Sequence, residues 1–378
     1  MIDTLILTIP NGPMKIWEHK DYWDPSVEGL TNNPSANYGA KLFTKYVCNM
    51  PKNKGYYPRL TITSRWNFHL KRYDTPLKIE FSAPKLMFGN NVDELTDTDF
   101  DSFIETLQLR LKEMGVMLLK REIENASITA VHFSKNIPLS GHYTPSQVIK
   151  VLQKLETTRQ LQLNSKRFQN LGHAIYFDCS SYQIVVYDKV KDLNQTQRHS
   201  VDKDKIENQL SLFDCLTDKK TEIVRIEVRL VQKQKLNSLL KNLGYQPNPT
   251  LREVFNESLS KAVLSYFWQQ IASDKNRFLL INQKEDPLTQ LINYQKESGK
   301  KLSVIETLGL AHALYFANEN GLNELRNALA THYSDRTWYR FQKNGLKKLN
   351  EIQYNKKYSY IKEVEDQLSS FVPYKMVN

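Results

Sequence analysis

The first 230 residues alternate between short strand patterns and a few amphipathic helix patterns. Residues 77–82 alternate apolar and polar side chains, which is the period-two pattern of a half-buried strand. From Phe100 onward, apolar residues return at i+3, i+4, i+7, i+11 and i+14, which predicts a helix that ends at Gly115. Thr144 followed by Pro145 predicts the start of a second helix. Further strands are expected at 60–69, 116–121, 127–135, 174–179, 182–189 and 221–230, with a polar loop or insertion over 190–220.

The remainder of the chain has the pattern of short helices. Start signals recur as the capping boxes Thr250–Glu253 and Ser303–Glu306 and as Asp286 before Pro287, and stop signals are expected at Gly244, Gly299, Gly321 and Gly345. We therefore predict an α+β fold with a largely antiparallel sheet and helices on one face, followed by a smaller all-helical C-terminal domain. The predicted domains are 1–243 and 244–378.

Composition narrows the class of protein. The chain has 378 residues, of which 40% are hydrophobic and 25% charged, as in ordinary globular proteins. Its 52 Lys and Arg residues exceed its 41 Asp and Glu residues by 11, and a basic balance favours polyanionic partners such as nucleic acid. No apolar run approaches the ~20 residues that span a bilayer, and the start of the chain resembles a strand more than a signal peptide. Three widely spaced cysteines without a C-x-x-C pair fit a reducing cytoplasm.

Common catalytic motifs are absent from the sequence. It contains no P-loop, no G-x-G-x-x-G, no H-E-x-x-H and no G-x-S-x-G. Residues 334–357 carry seven basic and two acidic side chains interleaved with aromatic residues, which suits nucleic-acid binding and equally suits a solvated helix face. The candidate DNA-binding residues in this stretch are Arg336, Arg340, Lys343, Lys347 and Lys348.

Charged side chains on two predicted strands are candidates for a metal and phosphate site. Glu227 shares a strand face with Arg225 and Arg229, so that a carboxylate ligand would lie beside a phosphate clamp. Glu80 lies on the polar face of 77–82. The alternative for these residues is a ladder of cross-strand salt bridges. His132 is a candidate metal ligand, although a single strand histidine is also commonly structural.

Tyr187 is the candidate nucleophile because it lies near the end of a predicted strand and shares a face with Lys189. A phenol with its ordinary pKa of ~10 is a poor nucleophile at neutral pH, so a nearby cation or a divalent metal would have to stabilise its phenolate. The alternative is a core tyrosine, and Tyr176 and Tyr182 stay open as other choices. We expect the polar ends of Glu80, Glu227, His132 and Tyr187 to converge on one sheet face.

Five segments in order resemble the gene II / gene X replication proteins of filamentous phages and related plasmid elements. The resemblance covers about residues 1–243, and the helical remainder is similar only loosely. The segments are MIDTLILTIP (1–10), KIEFSAPKLMFGNN (78–91), AVHFSKNI (130–137), VYDK (186–189) and VRIEVR (224–229).

The resemblance implies a rolling-circle replication initiator. Such an enzyme nicks one strand of duplex origin DNA through a tyrosine, leaves a 3′-OH for a host polymerase, and later reseals the displaced single strand. A divalent metal, Mg²⁺ or Mn²⁺, is implied, together with host helicase and polymerase as partners. Related plasmid initiators have Asp where this chain has His132, which leaves Glu80, Glu227 and Asp3 as the carboxylates to consider. The alternatives are a DNA-binding initiator or regulator that does not cut, and an RNA-binding protein.

Overall fold

The computed structural model describes residues 1–10, 15–16, 23–24, 43–48, 55–67, 69–140, 143–193, 222–273, 279–280, 286–348 and 358–376. The predicted loop at 190–220 lies almost entirely outside these residues.

An antiparallel sheet is the centre of the fold. Its strands run in the order β10-β11-β12-β13-β9-β1-β7-β5-β4-β3, with β6 paired to β5, and the short strands β2 and β8 pair separately. Every recorded strand pair among the described residues is antiparallel, which confirms the predicted fold class. The strands are β1 (Ile2–Ile9), β2 (Lys15–Ile16), β3 (Trp23–Asp24), β4 (Phe43–Cys48), β5 (Arg59–Asn67), β6 (Arg72–Asp74), β7 (Leu77–Ser82), β8 (Val116–Met117), β9 (Ser127–Leu139), β10 (Ser165–Gln169), β11 (Ala174–Asp178), β12 (Tyr182–Asp188) and β13 (Glu222–Leu230).

Helices occur both between the strands and after the last strand. Those of the first part are α1 (Ala83–Phe88), α2 (Phe100–Glu113), α3 (Lys120–Glu124), α4 (Pro145–Lys154), α5 (Thr158–Leu161) and α6 (Lys189–Leu193). Those after β13 are α7 (Lys233–Asn242), α8 (Leu251–Val254), α9 (Glu257–Ile271), α10 (Pro287–Ser298), α11 (Val304–Asn320), α12 (Leu322–Ala330), α13 (Asp335–Phe341) and α14 (Ser359–Ser370). None of the described helices is long and apolar enough to cross a membrane.

Alternate side chains of strand β13 point to the two faces of the sheet. Val224, Ile226 and Val228 are buried in the main hydrophobic core, and helices α4, α9 and α14 pack on this side. On the core face, the Tyr182 ring lies 4.9 Å from the Phe267 ring of α9, measured between centroids. The alternate positions of β13, Arg225 among them, point to the other face, as the sequence pattern predicted. We call this second face the site face.

Two local predictions were wrong. Residues 116–121 were expected to form one strand, but the strand ends at Met117 and helix α3 follows, because the Glu122 carboxylate accepts a hydrogen bond from the Leu119 amide at 2.8 Å. Gly345 was expected to end a helix, but it lies inside a π-helical segment, Gln342–Leu346, that continues α13. A Cβ atom there would lie 3.0 Å from the Phe341 ring, so the close ring contact favours glycine.

Contacts cross the predicted domain boundary at 243/244. The Leu251 amide donates to the Ala126 carbonyl at 3.1 Å, immediately before β9. The buried ammonium of Lys135 on β9 donates to the Val372 carbonyl at 2.8 Å. The sheet and the C-terminal helices therefore share part of their packing, and the boundary itself stays a prediction.

Candidate functional site

Three side chains from adjacent strands form a cluster with the composition of a metal site. Asp3 of β1, His132 of β9 and Glu227 of β13 each offer one ligand atom, and these atoms lie within 4.8 Å of one another. Carboxylate oxygens are ligands that suit Mg²⁺ or Mn²⁺, whereas an imidazole is the more usual ligand of transition-metal ions.

A bulge in β1 explains how Asp3 reaches the cluster. Ile2 pairs with Phe133 and Leu5 pairs with Val131, so the register shifts by one residue between them. Both Ile2 and Leu5 are buried in the core although they are three residues apart, which a regular strand does not allow. The extra residue therefore leaves Asp3 free to face the other side of the sheet.

Glu227 contacts three side chains of the site face. Its carboxylate accepts hydrogen bonds from Arg229 Nε at 2.8 Å and from the Tyr187 hydroxyl at 3.3 Å, and His132 Nδ1 lies at 3.3 Å. Burial raises the pKa of this carboxyl group, but the charge of Arg229 and the contact with His132 outweigh burial and hold the pKa well below its usual value. Glu227 is therefore ionised at neutral pH although only 2% of it is exposed.

Arg225 lies beside the cluster on the same face of β13 and is equally buried. Its Nη2 donates to Asp3 Oδ1 at 2.6 Å and to the Ser134 hydroxyl at 2.9 Å, and its Nη1 donates to the Asn91 carbonyl at 2.7 Å. Burial raises the pKa of the Asp3 carboxyl group, but the charge of Arg225, with smaller contributions from Lys189 and His132, outweighs burial, so the pKa is lowered overall. Arg225 Nε and the Oδ1 of Asn136, its partner across the strands, are buried without a hydrogen-bond partner in the described structure. The site therefore has one buried donor and one buried acceptor that could bind a ligand or a water molecule.

Tyr187 and Lys189 border the cluster on the β12 side. Tyr187 pairs with Arg225 across the strands, and burial, reinforced by Glu227, raises its pKa well above the ordinary value against the opposing effect of Arg225. Lys189 Nζ lies 5.9 Å from the centroid of the Tyr187 ring. Burial, reinforced by the charge of Arg225, lowers the pKa of Lys189 to about 7. Within the described part of the chain, Nζ has no hydrogen-bond or ion-pair partner.

Glu80 lies outside the cluster. It is on the site face of β7, opposite Ile6, which in turn pairs with Ala130 of β9. Two strand spacings, about 10 Å, therefore separate Glu80 from β9. Its carboxylate binds Lys78 Nζ at 3.0 Å. Of the four side chains expected to converge, the structure brings together Glu227, His132 and Tyr187, and it places Asp3 rather than Glu80 beside them.

The two other candidate tyrosines lie elsewhere. Tyr182 faces the core, and its hydroxyl donates to the Leu161 carbonyl at 2.7 Å. Tyr176 is on the site face, but it lies on β11, and the guanidinium of Arg167 covers its ring at 5.2 Å. Tyr187 is the tyrosine of these three that donates a hydrogen bond to the cluster.

The predicted basic stretch forms a separate surface on α13 and the π-helical segment. Arg336, Arg340, Lys343 and Lys347 are exposed, whereas Lys348 forms an ion pair with Glu306. The rest of the stretch, from 349 to 357, lies outside the described residues. Of the predicted DNA-binding residues, Arg225 and Arg229 thus belong to the buried site, and the others lie on a helical surface.

Sequence reasoning missed three residues around Arg225: Ser134 and Asn91 accept its hydrogen bonds, and Asn136 lies opposite it on β9. Ser134 and Asn136 continue the alternation that begins at His132 and could have been found by extending that strand face. Asn91 contributes a backbone carbonyl from the turn after α1, for which the side-chain pattern gives no signal.

Comparisons of the chain with protein-family models, with curated proteins and with solved structures return no match.

Proposed function

We propose that the chain is a metal-dependent DNA nicking and closing endonuclease that initiates rolling-circle replication, with Tyr187 as its nucleophile. The observation that carries the proposal is the hydrogen bond from the Tyr187 hydroxyl to Glu227, which is itself one of the three candidate metal ligands. A phenol, a carboxylate pair, an imidazole and several buried cations at one place are the groups that phosphodiester transesterification needs.

The donor set fits a divalent cation. Asp3, His132 and Glu227 would hold Mg²⁺ or Mn²⁺, and the bound ion would supply Lewis-acid polarisation of the phosphodiester. The two carboxylates are ionised in the folded protein, since their pKa values are lowered, and are therefore ready to act as ligands.

The protein's own residues would orient the reaction and move its protons. The raised pKa of Tyr187 keeps its hydroxyl protonated at neutral pH, and Glu227 accepts its hydrogen bond. Because the pKa of Glu227 is low, the proton would pass to Glu227 only as the phenol oxygen bonds to phosphorus and becomes far more acidic. A tyrosine O–P bond forms and the P–O3′ bond breaks. Lys189, with a pKa of about 7, would protonate the departing 3′ oxygen. One phosphodiester replaces another, so the reverse sequence reseals the strand.

A second candidate function is a DNA-binding replication initiator or regulator that does not cut. It is favoured by the pairing of each carboxylate with an arginine, Asp3 with Arg225 and Glu227 with Arg229. Such a ladder is balanced in charge without a metal, and it would leave the site face as a structural or phosphate-binding surface.

A nicking assay separates the two functions. A library of supercoiled plasmids with random inserts is incubated with the protein and Mn²⁺, and open circles and denaturant-resistant protein–DNA adducts are measured. We expect the wild type to produce both, Tyr187→Phe to produce neither, and Tyr176→Phe, a control on the same face, to behave as the wild type. If Tyr187→Phe retains full activity, the assigned nucleophile is wrong. If the wild type cuts no member of the library, the binding function is favoured.

The proposed activity would place the protein in the cytoplasm of a host cell, on double-stranded origin DNA and on the displaced single strand. Host helicase and polymerase would act on the 3′-OH that the nick leaves. Contacts to phosphates by the excess of 11 positive charges would give a salt-dependent affinity.

A further inference from the structure

A cavity of about 270 Å³ lies between α12 and α13 in the helical C-terminal region. None of its lining residues belongs to the cluster around Glu227. The volume is slightly below the ~300–1,000 Å³ that is typical of pockets for drug-sized ligands, so it suits a single ring system. The residues that matter for its chemistry are Arg326, Ala330, Tyr333, Asp335, Trp338 and Phe341.

Aromatic rings form much of the cavity wall. The Trp338 and Phe341 rings lie 5.9 Å apart between centroids, with a tilt of 42°. Tyr333 is 56% exposed, so part of the lining is open to solvent. The indole N–H of Trp338 is buried and has no hydrogen-bond partner in the described structure. A flat ligand would gain apolar contact with the parts of these rings that line the cavity.

The charged groups of the wall disfavour an anion inside the cavity. Arg326 donates to Asp335 at 2.9 Å and lies 3.6 Å from the buried carboxylate of Glu156. Its positive charge is therefore already compensated, and the 70% exposed side chain of Asp335 adds negative charge at the wall. An uncharged polar ring is the better occupant.

Unpaired cations lie on the helix that forms one wall. Arg336 and Arg340 lie four residues apart on α13, which places them on one side of that helix, and Lys343 and Lys347 follow in and just after the π-helical segment that continues it. All four are exposed, and the described structure gives none of them an ion-pair partner. We call these four residues the basic stripe. Phosphates at regular spacing would complement such a row of charge.

We propose that this cavity binds one unstacked nucleobase of single-stranded DNA, while the phosphates of the same strand contact the basic stripe. Stacking of bases on aromatic side chains beside a basic track is the usual way in which proteins hold single strands without reading their sequence. The inference goes beyond nicking, because the cavity can hold a base whether or not the protein cuts DNA.

The test is a substitution that places a larger side chain in the cavity, followed by a measurement of single-stranded DNA binding. Binding of fluorescein-labelled (dT)20 is measured by anisotropy at several salt concentrations in the Tyr187→Phe background, where cutting does not interfere. Ala330→Leu, which places a larger side chain at the cavity wall, should weaken binding about 5- to 100-fold with an unchanged salt dependence, because one stacked base is lost. Ala328→Leu, an exposed position on the same helix outside the lining, is the matched control and should bind as the parent.

The contribution of the basic stripe is measured separately, through the salt dependence of binding. Arg340→Gln should lower the slope of log K against log salt by about 0.7, the value for one phosphate of a single strand. A (dT)20 probe with a single 5-iodouracil should also form a photo-crosslink to a peptide that contains Trp338 or Phe341. Equal affinities of the Ala330→Leu and Ala328→Leu proteins, both folded by circular dichroism, would overturn the inference, as would crosslinks confined to the sheet. Inactivity of the wild type in the nicking assay would leave this result unaffected.

Discussion

The buried pair of Arg225 and Asp3 gives the sharpest prediction about the stability of the site. Arg225 is 2% exposed, and Asp3, with 16% of its side chain exposed, receives a hydrogen bond of 2.6 Å from it. Arg225→Met keeps much of the side-chain volume and removes the charge, so the Asp3 carboxylate loses its main compensating cation. Removing one partner of a buried ion pair costs about 3–5 kcal/mol, and we expect a loss of this size in the free energy of unfolding.

A double-mutant cycle isolates the pair from the other contacts of Arg225. Asp3→Asn removes the carboxylate charge that Arg225→Met leaves unpaired. Arg225→Met should therefore lower the free energy of unfolding by about 1–3 kcal/mol less in the Asp3→Asn protein than in the wild type. The measurement is urea unfolding followed by circular dichroism in EDTA, where no metal contributes. Strict additivity of the two substitutions would refute the coupling between Asp3 and Arg225. Wild-type stability of Arg225→Met would contradict the burial and pairing of the guanidinium.

Three further predictions follow from the described contacts. Glu227→Gln should weaken Mn²⁺ binding, measured by electron paramagnetic resonance, at least about tenfold, whereas Glu80→Gln should leave it unchanged; equal losses would contradict the cluster. The pKa of Lys189 is lowered to about 7 in the folded protein, so above pH 7 the unfolded chain binds more protons than the folded chain does. The free energy of unfolding should therefore rise toward pH 10 by up to about 1.4 kcal/mol per pH unit. Lys189→Met should flatten this rise in urea titrations at each pH, and an unchanged profile would show that Lys189 stays charged. Glu94→Gln leaves Lys135, which is 2% exposed, without its carboxylate and should cost about 3 kcal/mol in unfolding free energy; a loss below 1 kcal/mol would contradict that pair.

Much of the fold could be predicted because local patterns agree with the tertiary structure. The alternation of β7 and β13 is visible in the sequence, and the structure buries the apolar set of each strand. The start of α4 at Pro145 after Thr144 follows from capping chemistry alone. The segment after Gly115 was misjudged because Leu119 and Glu122 form a capping arrangement that stops the strand early. Local hydrogen bonds of this kind override a short apolar pattern.

The candidate site could be predicted only in part, since its composition depends on the order of the strands. His132, Glu227 and Tyr187 meet because β12, β13 and β9 are neighbours, which the strand patterns do not reveal. Glu80 has the same kind of pattern as Glu227, but β1 separates its strand from β9. Asp3 enters through a register shift that no periodicity predicts. Side-chain alternation thus gives the face of each residue, and strand order decides which residues meet.

We propose that Tyr187 attacks a DNA phosphodiester beside the cluster of Asp3, His132 and Glu227. The most direct measurement uses single-stranded oligonucleotides with a random core and Mn²⁺, with covalent protein–DNA adducts trapped in denaturant, digested and identified by mass spectrometry. We expect a 5′-phosphate linked to the hydroxyl oxygen of Tyr187, and no adduct when Glu227 is replaced by Gln. An adduct on a different tyrosine, or an adduct that forms equally well in the Glu227→Gln protein, would contradict the proposal.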